Sequence, residues 1–492
     1  MTRLRVLRFL AEMVNQMGLD LSLKIAMTGL RAVQKGLDTV SSNIANVDTQ
    51  GYTRKVQTQQ SLLAEGKGYG VKTGNIEREV DTALQRAALT EESKVSNLDV
   101  KEQYLQQIEM LHGDPDAESS LGNQLAQLSD SFTKLMDSPN STPLQTQVLS
   151  IADNLTRTLN SLSAGVTNVR SNVQSAIHNS LDDLNAQMKT IDDMNRQIKI
   201  ATSLNRTEPD LEDKRDEAVR VMSQYLDINV ARHGDGTIAV LDARGQPLLE
   251  NGYQPLSAAP SVIGPETSYP GGISAIRQGD PVTGKDITPQ LTGGKLGALL
   301  ELRDRTLPQI QAQFDDLSTT LASQFESAGL TLFTDDTGAV PAPIAPATAV
   351  VGFSARIQVS SIVKSEPNRL KDGDTPPSDT TGDSTLLRTI VDDVLGSPHG
   401  FNSPPLPGSS ELGKFAAEMV SYQTSLRATA SAQKESASSV LANLTTKLSD
   451  QSGVNVDEEI SLLIQLQRSY SSTAQVVSMN NQMFSDLISV LR

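Results

Sequence analysis

Four histidines are the side chains in this chain best suited to acid–base or metal chemistry, and they are widely separated. They stand at His112, His178, His233 and His399. None has a partner at the spacing of metal ligands, and the chain contains no cysteine, which excludes thiolate metal sites, cysteine nucleophiles and disulfides. His233 lies in the run His-Gly-Asp-Gly, which is typical of a turn rather than of a catalytic base.

Carboxylates are the next candidates for chemistry, and two clusters could pair. These are Asp213, Asp216 and Glu217, and Asp192 with Asp193. Their spacing is that of solvent-exposed helix faces, whereas acid–base catalysis needs burial to shift a carboxyl pKa. The aspartates between residues 372 and 383 do not follow the EF-hand pattern, and the Gly-rich run 66–70 lacks GxGxxG spacing. We therefore predict that the chain is not an enzyme and holds no cofactor or metal.

Length, charge and composition favour a multidomain helical protein. The 492 residues exceed a single core, so roughly two to four domains are expected. The net charge of −16 argues against a nucleic-acid partner. No apolar run reaches the roughly 18 residues of a membrane span. Tryptophan is absent and aromatic residues make up 3%, so the apolar content suits long helices packed along their lengths.

Near the N-terminus, apolar residues recur at alternating steps of three and four, which is the heptad pattern of a helix that packs lengthwise on others. This N-terminal seam consists of Leu23, Ala26, Leu30, Val33, Leu37, Val40, Ile44 and Val47. We expect Ser22 to cap the helix and Gly51 to follow its end, near residues 49–51. Residues 1–16 lack the features of a signal peptide. We interpret them as an upstream extension with translation starting at Met17, while a start at Met1 stays open.

A second heptad pattern occupies the C-terminus. This C-terminal seam consists of Val456, Ile460, Leu463, Gln467, Tyr470, Ala474, Val477, Asn481, Phe484, Ile488 and Leu491. Gln467 and Asn481 are its polar members, and a polar residue in a seam can fix register or partner number at a cost in stability. Asn455 and Glu458 have the spacing of a capping box, which predicts that the helix begins there.

The middle of the chain alternates between helical and strand patterns. Helices are predicted over 144–204 and 295–328, the second with a kink at Pro308. A β-hairpin is predicted at 228–230 and 238–240. A short helix is predicted over 386–395. The predicted fold class is mainly α with a β-containing insertion, in which long terminal helices form a coiled-coil or helical-bundle rod beside a small β-rich middle domain.

The predicted domain division follows these patterns. It comprises 1–16 as the upstream extension, 17–50 and 455–492 as terminal helices of an inner coiled-coil domain, 51–226 and 295–330 as a helical rod domain, 227–294 as the β-containing insertion, 331–410 as a loop-rich segment of open fold, and 411–454 as a return helix.

A local motif follows the N-terminal seam. It reads Asn43-Ile44-Ala45-Asn46, then Gly51-Tyr52-Thr53-Arg54. The asparagine amides can satisfy carbonyls at the helix end, Gly51 permits a sharp exit, and Tyr52 can pin the strand that emerges. An ordinary helix end followed by a strand explains the same residues equally well, so both interpretations stay open.

The motif and the C-terminal run Gly453–Glu459, followed by Gln467 and Tyr470, resemble the signatures of the axial proteins of the bacterial flagellum, the rod, hook and hook-associated proteins. The internal segments 210–249 and 293–304 resemble the hook-associated members that join hook to filament. The resemblance covers roughly half of the chain and leaves out 1–16 and 330–410.

The resemblance implies a structural subunit that is secreted through the flagellar type III apparatus and lies outside the cell, at the junction of hook and filament. The implied partners are copies of the chain, the hook subunit, a second junction protein and an export chaperone. Two alternatives stay open. One is another axial protein, such as the hook or a distal rod subunit, and the other is a binding or enzymatic module with its site in the loop-rich middle.

Overall fold

Long helices dominate the structure, which is a computed structural model. It describes residues 2–64, 67–114, 117–341, 351–375 and 383–490, without the side chains of residues 2–17, 64, 67, 487, 488 and 490. The longer helices are α1 (Thr2–Ala45), α2 (Thr82–His112), α3 (Leu121–Asp137), α4 (Thr142–Ser203), α5 (Pro209–Tyr225), α6 (Gly294–Glu301) and α7 (Leu307–Ser327). After them come the short helices α8 (Ser361–Ser365), α9 (Arg369–Asp372) and α10 (Thr385–Thr389), then the long α11 (Leu412–Ser452) and α12 (Val456–Val490). The predicted fold class is thereby confirmed.

Several predicted helix ends are confirmed, and two are wrong. α4 matches the predicted 144–204, and Asn455 caps α12 by accepting the Asp457 N–H at 3.0 Å. The first helix starts at Thr2, so Ser22 is not its cap; the preceding residues contain no proline, and the helix continues through Gly18. It ends at Ala45 rather than at 49–51, because the Asn46 side chain binds the Ser42 carbonyl at 2.9 Å and turns follow as far as Gly51.

The predicted kink at Pro308 takes the form of a π-helical turn. Residues Leu302–Thr306 form this turn between α6 and α7, and Pro308 lies in the first turn of α7. Proline has no N–H to donate to the preceding turn, and a π-helical turn absorbs the mismatch. A second π-helical turn, Ile390–Leu395, follows α10, so that the predicted helix over 386–395 is confirmed in location.

The strands form small antiparallel sheets. They are β1 (Lys55–Ala64) paired with β2 (Lys67–Arg78), β3 (Ile228–Arg232), β4 (Ile238–Asp242) and β5 (Pro247–Leu249) in one sheet, β6 (Leu256–Ala258), β7 (Ile276–Gln278) and β8 (Lys285–Asp286) in another, β9 (Phe333–Thr334) with β10 (Gln358–Val359), and β11 (His399–Gly400) with β12 (Ser409–Ser410). The predicted hairpin is confirmed as β3–β4. The β1–β2 hairpin falls in the stretch 51–226 that we assigned to helices; its polar, partly exposed strands give little apolar alternation.

A continuous core lies between α2, α3, α4, α7 and α11. Along α4 the buried apolar residues advance by steps of three and four, as a helix with one face buried in the core requires. Phenylalanines anchor this core: Phe325 packs against Phe132 and Phe333, with ring centroids 5.7 and 5.2 Å apart. α11 returns along α2, so the chain leaves and re-enters through the same bundle.

Polar side chains on α4 fasten the β-containing insertion to the bundle. The Asn195 amide binds both backbone groups of Ile238, at 3.0 and 2.8 Å. Asn185 does the same with Leu256, at 2.7 and 2.8 Å. Each amide therefore acts as one rung of a β-ladder, which satisfies an edge that would otherwise be buried without partners.

Two adjacent aspartates on α7 fasten the loop-rich segment 331–410. Asp315 accepts the backbone N–H groups of Gly352 and Ser354 at 2.8 and 3.0 Å. Asp316 accepts the Asn402 N–H at 2.7 Å. Both carboxyls are buried, and this burial raises the pKa of each. The described parts of the segment thus fold onto the rod helices.

Gly294 offers a test of how closely the end of α5 approaches the start of α6. A Cβ at Gly294 would overlap backbone atoms of Tyr225 and Leu226, and its φ of +53° is unfavourable for other residues. We expect Gly294→Ala to lower the free energy of unfolding by about 2–5 kcal/mol. The matched control is Gly245→Ala, which has a φ of +80° but nothing within 4 Å of the new Cβ. This control should cost about 1–2 kcal/mol. Equal urea midpoints for the two variants would refute the close approach.

Candidate functional site

The terminal helices α1 and α12 pack antiparallel in a constant register. Asn43 contacts Glu459, while a Cβ on Gly36 would lie 3.3 Å from Leu466 and one on Gly29 would lie 3.9 Å from Thr473. These pairs recur every seven residues on both helices, as in a two-helix coiled coil. Small residues of α1 at this spacing let the two backbones approach closely.

The contact face of α1 lies beside the predicted N-terminal seam rather than on it. Of the seam residues, Ala26 and Val40 are buried and Val47 is exposed. The others are half-buried, namely Leu23, Leu30, Val33, Leu37 and Ile44. The buried face also includes Ala32, Gly36 and Asn43, which a search for apolar residues at heptad spacing passes over because they are small or polar.

The predicted C-terminal seam is divided in the same way. Leu463, Tyr470, Ala474 and Val477 are half-buried, whereas Val456, Ile460, Gln467, Asn481 and Phe484 are exposed. The Ile488 side chain and Leu491 lie outside the described residues. The buried polar residues of α12 are Glu459 and Asn480, not Gln467 and Asn481. The contact face is therefore shifted from the one that the apolar count predicted.

Part of the surface of α12 consists of large apolar side chains that have no cover in the single chain. We call it the outer face of α12, and it consists of Val456, Ile460, Ile464, Val476, Met479, Met483 and Phe484. Each of these residues is at least 36% exposed. Exposed apolar side chains in this number are typical of a surface that binds another protein.

Glu459 anchors the first turn of α12 to the end of α1. Its side chain is buried, and it accepts the Arg54 Nε–H at 2.8 Å and the Asn43 amide at 3.1 Å. Arg54 also pairs with Glu79 at 2.8 Å, and its backbone N–H donates to the Ser452 carbonyl. The pKa of Arg54 is raised, chiefly by its hydrogen bond to Glu459. One buried carboxylate thus holds together both chain ends.

The motif that follows the seam supplies most of this anchor. The Asn43 amide donates to the Lys55 carbonyl and to Glu459, while its oxygen accepts from the Tyr52 hydroxyl at 3.0 Å and the Lys55 N–H at 3.1 Å. Gly51 has a φ of +80°, which confirms the predicted sharp exit. Ile44 is half-buried and Ala45 is exposed. The motif therefore does more than end a helix, because Asn43 connects α1 to β1 and α12.

Carboxylates of α5 complete the site from the rod side. Thr53 donates its hydroxyl to Asp213 at 2.6 Å, and the Lys55 ammonium pairs with Asp210 and, at 3.5 Å, with Asp213. Arg78 binds Asp213 and Asp216 at 2.9 Å each. We refer to Lys55, Arg78 and these carboxylates, with Glu212, as the α5 cluster. It joins the base of the β1–β2 hairpin to the helical rod.

The prediction that Asp213 and Asp216 lie on a solvent-exposed helix face is wrong. Both side chains are about one-tenth exposed, because β2 and α2 cover this face of α5. Burial opposes ionisation of Asp216, but the charges of Arg78 and Arg232 outweigh it and lower the pKa of that carboxyl. The partners lie more than 130 residues apart in sequence, so no local spacing could indicate them.

The histidines take structural positions. His112 is half-buried beside Phe314 and bonds to Gln423 at 2.6 Å, and its removal from solvent lowers its pKa. The Nε2 of His399 lies 2.6 Å from the Val394 carbonyl oxygen. His233 lies in the turn between β3 and β4, as predicted, where its backbone N–H donates to the Thr237 carbonyl. Among the described residues, no group of three or more histidines and carboxylates could hold a metal ion.

No described helix is both long enough and apolar enough to cross a bilayer.

Comparison with known proteins assigns a class to the two chain ends. Residues 23–53 match the family model of the flagella basal body rod protein. Residues 449–490 match that of the flagellar basal body rod FlgEFG protein C-terminal region. These stretches contain the helix pair and most of its polar anchor. The chain is a structural component of the bacterial flagellum, of the axial class that forms its rod and hook.

The middle of the chain identifies the member of this class. Residues 105–339 match the helical domain of flagellar hook-associated protein FlgK. Flagellar hook-associated protein 1 of Bacillus subtilis is 22% identical and that of Escherichia coli 24%; the alignments cover 95% and 94% of this chain, and 97% and 98% of those proteins. A solved structure, the flagellar hook junction protein FlgK from Burkholderia pseudomallei, is 25% identical with a TM-score of 0.43, covering 51% of this chain and 45% of that one.

The chain belongs to the family of flagellar hook-associated protein 1. This confirms the resemblance found in the motif and in the two internal segments, and it does not favour the hook or distal rod subunit as alternatives. The relatives are structural flagellar proteins rather than known enzymes.

Proposed function

We propose that the chain is the structural subunit that joins hook to filament, and that its copies associate with one another through their terminal helices. The observation that carries this proposal is the outer face of α12. Its side chains are about half exposed, so covering each of them is worth roughly 1 kcal/mol, about half the value for full burial. Neighbouring subunits of a tubular assembly would supply that cover. A contact between copies that does not close on itself builds a helical array.

The polar anchor gives each subunit a fixed starting geometry. Glu459, Asn43 and Arg54 hold α1 and α12 in one register, and the α5 cluster joins this pair to the rod. The terminal pair can therefore pack against other subunits while the bundle and the β-containing insertion stay outside it. This supports the division that we propose, with 17–50 and 455–492 as an inner domain, 51–226, 295–330 and 411–454 as the rod, and 227–294 and 331–410 as outer parts.

The partners that follow are copies of the chain, the hook subunit on one side and a second junction protein on the other. An export chaperone would cover the outer face of α12 before assembly, since an uncovered apolar row promotes aggregation. We further propose that the subunit is exported through the flagellar type III apparatus to the extracellular end of the hook, and that the chain has no enzymatic activity.

The location of the protein tests the junction role. A small epitope tag in the exposed turn at Gly245 should leave the terminal helices free. Immunogold labelling of isolated hook–basal bodies with attached filaments should place gold in one narrow band where hook meets filament. Label spread along the hook or in the rod would contradict the junction role.

A further inference from the structure

A groove lies between the N-terminal half of α1 and the C-terminal half of α12. Its volume is about 500 Å³. Its lining includes Leu19, Ser22, Val476, Met479, Asn480 and Met483. None of these described lining residues carries a charge. Three of them, Val476, Met479 and Met483, also belong to the outer face of α12, so that the groove continues this face toward α1.

Asn480 is the exception in this apolar groove. Its side chain is 7% exposed, and its amide nitrogen is buried with no acceptor among the described residues. A buried polar group without a partner costs about 1–3 kcal/mol. Asn480 lies 21 residues after Glu459, which is three heptads along the same face. At the anchor end the buried polar group is satisfied by Asn43 and Arg54, whereas at this end it is not.

The antiparallel register places Ser22 opposite Asn480. Between α1 and α12, the facing residues are Asn43 and Glu459, then Gly36 and Leu466, then Gly29 and Thr473. The next step of seven residues places Ser22 opposite Asn480. Ser22 lines the same groove, yet the two side chains form no hydrogen bond. The pair itself thus leaves the Asn480 amide without an acceptor, and the groove beside the amide is open to a third helix that could supply one.

We propose that Asn480 determines the register between subunits, and that a terminal helix of a second copy of the chain fills the groove and supplies an acceptor to the Asn480 amide. The inference rests on the proposed self-association. The second copy is favoured because the groove is continuous with the outer face of α12, and because its lining offers no charge to attract an acidic or basic partner. Methionine walls suit a neighbouring helix, since their side chains adapt in shape.

A single buried asparagine in a helix interface selects one alignment. In one register the amide finds its acceptor, and in every shifted register it stays buried and unpaired. An apolar residue at 480 would bind more tightly but would tolerate several registers. The outer face cannot make this choice alone, because burial of apolar side chains is non-directional and leaves no single group unpaired in a shifted alignment.

Register can be measured by crosslinking, because the chain has no cysteine and a single introduced thiol is unique. Met479 is 64% exposed, so a cysteine in its place can be labelled. The full-length Met479→Cys chain is labelled with a benzophenone, assembled on hooks and then irradiated. We expect adducts of two copies of the chain, joined at a single position in the second copy. Asn480→Ala added to this variant should spread the adducts over several positions, whereas Asn481→Ala, at the exposed neighbour, should leave the single position unchanged.

Self-association of the purified full chain gives a second measure. By sedimentation velocity, Asn480→Leu should associate at least about tenfold more tightly than Asn481→Leu, with a broader range of sizes. If adducts between copies form, but Asn480→Ala keeps the single crosslinked position and Asn480→Leu associates no more tightly than Asn481→Leu, the role of Asn480 is wrong. The proposed self-association would still stand in that case. Absence of any adduct between copies would instead refute self-association through this face.

Discussion

Replacing Arg78 with Met is expected to lower the free energy of unfolding by about 3–5 kcal/mol, because Asp213 and Asp216 lose their nearest cation and keep only the 3.5 Å contacts to Lys55 and Arg232. The Arg78 side chain is 5% exposed and binds Glu212 at 2.8 Å and both Asp213 and Asp216 at 2.9 Å. Met fills much of the same volume, so the loss measures the charge rather than a cavity. The shift of the first urea transition, followed by circular dichroism, reports it.

The matched control for Arg78 is Arg206→Met. Arg206 pairs with Glu208 at 3.2 Å, but its side chain is 68% exposed, and exposed pairs contribute little.

Acidification adds a second test of the Arg78 contacts. Arg78 and Arg232 lower the pKa of Asp216 in the folded state, so this stabilisation is present above the unfolded pKa of roughly 4 and is lost as the pH falls through the folded value. The difference in free energy of unfolding between the parent and Arg78→Met should become smaller below about pH 4. A constant difference, or a shift no larger than that of Arg206→Met, would contradict the account.

Replacing Glu459 with Ala is expected to release the first turns of α12 from α1. The change removes the acceptor of the Asn43 amide and of Arg54 Nε, which should cost about 2–3 kcal/mol. The cost is lower than for Arg78 because Arg54 keeps Glu79 and is 24% exposed. Hydrogen exchange followed by mass spectrometry should show faster exchange in residues 456–470 and 38–45, with the rod helices unchanged.

Glu458→Ala is the control for Glu459→Ala, since Glu458 is its exposed neighbour on the same helix. Both variants lose one carboxylate from the first turn of α12, so the interaction of charge with the helix dipole is matched. Equal exchange in the two variants would show that the buried contact does not hold the terminal pair.

The sequence predicted the elements better than their contacts. α4 and the start of α12 were predictable because apolar periodicity and capping residues are local signals. The contact face of α1 was not, because Gly29, Gly36 and Asn43 carry no apolar signal, although their small size or hydrogen bonding decides the approach. A count of apolar residues therefore found the border of the interface in place of its centre.

The polar site escaped sequence reasoning for a different reason. Glu459, Arg78 and Asp213 lie in three distant segments, and each by itself has the sequence context of a surface charge. Only the fold gives each of them its partner: the β1–β2 hairpin brings Arg78 onto Asp213 of α5, and the packing of α12 on α1 brings Glu459 to Arg54. The motif at the end of α1 was recognisable from its order of residues. Its role in binding Glu459 depends on the contact with Asn43, which lies 416 residues away in sequence.

The most direct test of the central claim, that the terminal helices carry assembly, is removal of Asp457–Arg492. Cells that produce this truncated chain in place of the full one should build hooks without filaments, as counted by electron microscopy. Circular dichroism of the truncated protein should show that the rod helices persist, since their core lies apart from α12. Filaments attached to the hooks at normal frequency would contradict the assembly role of the tail.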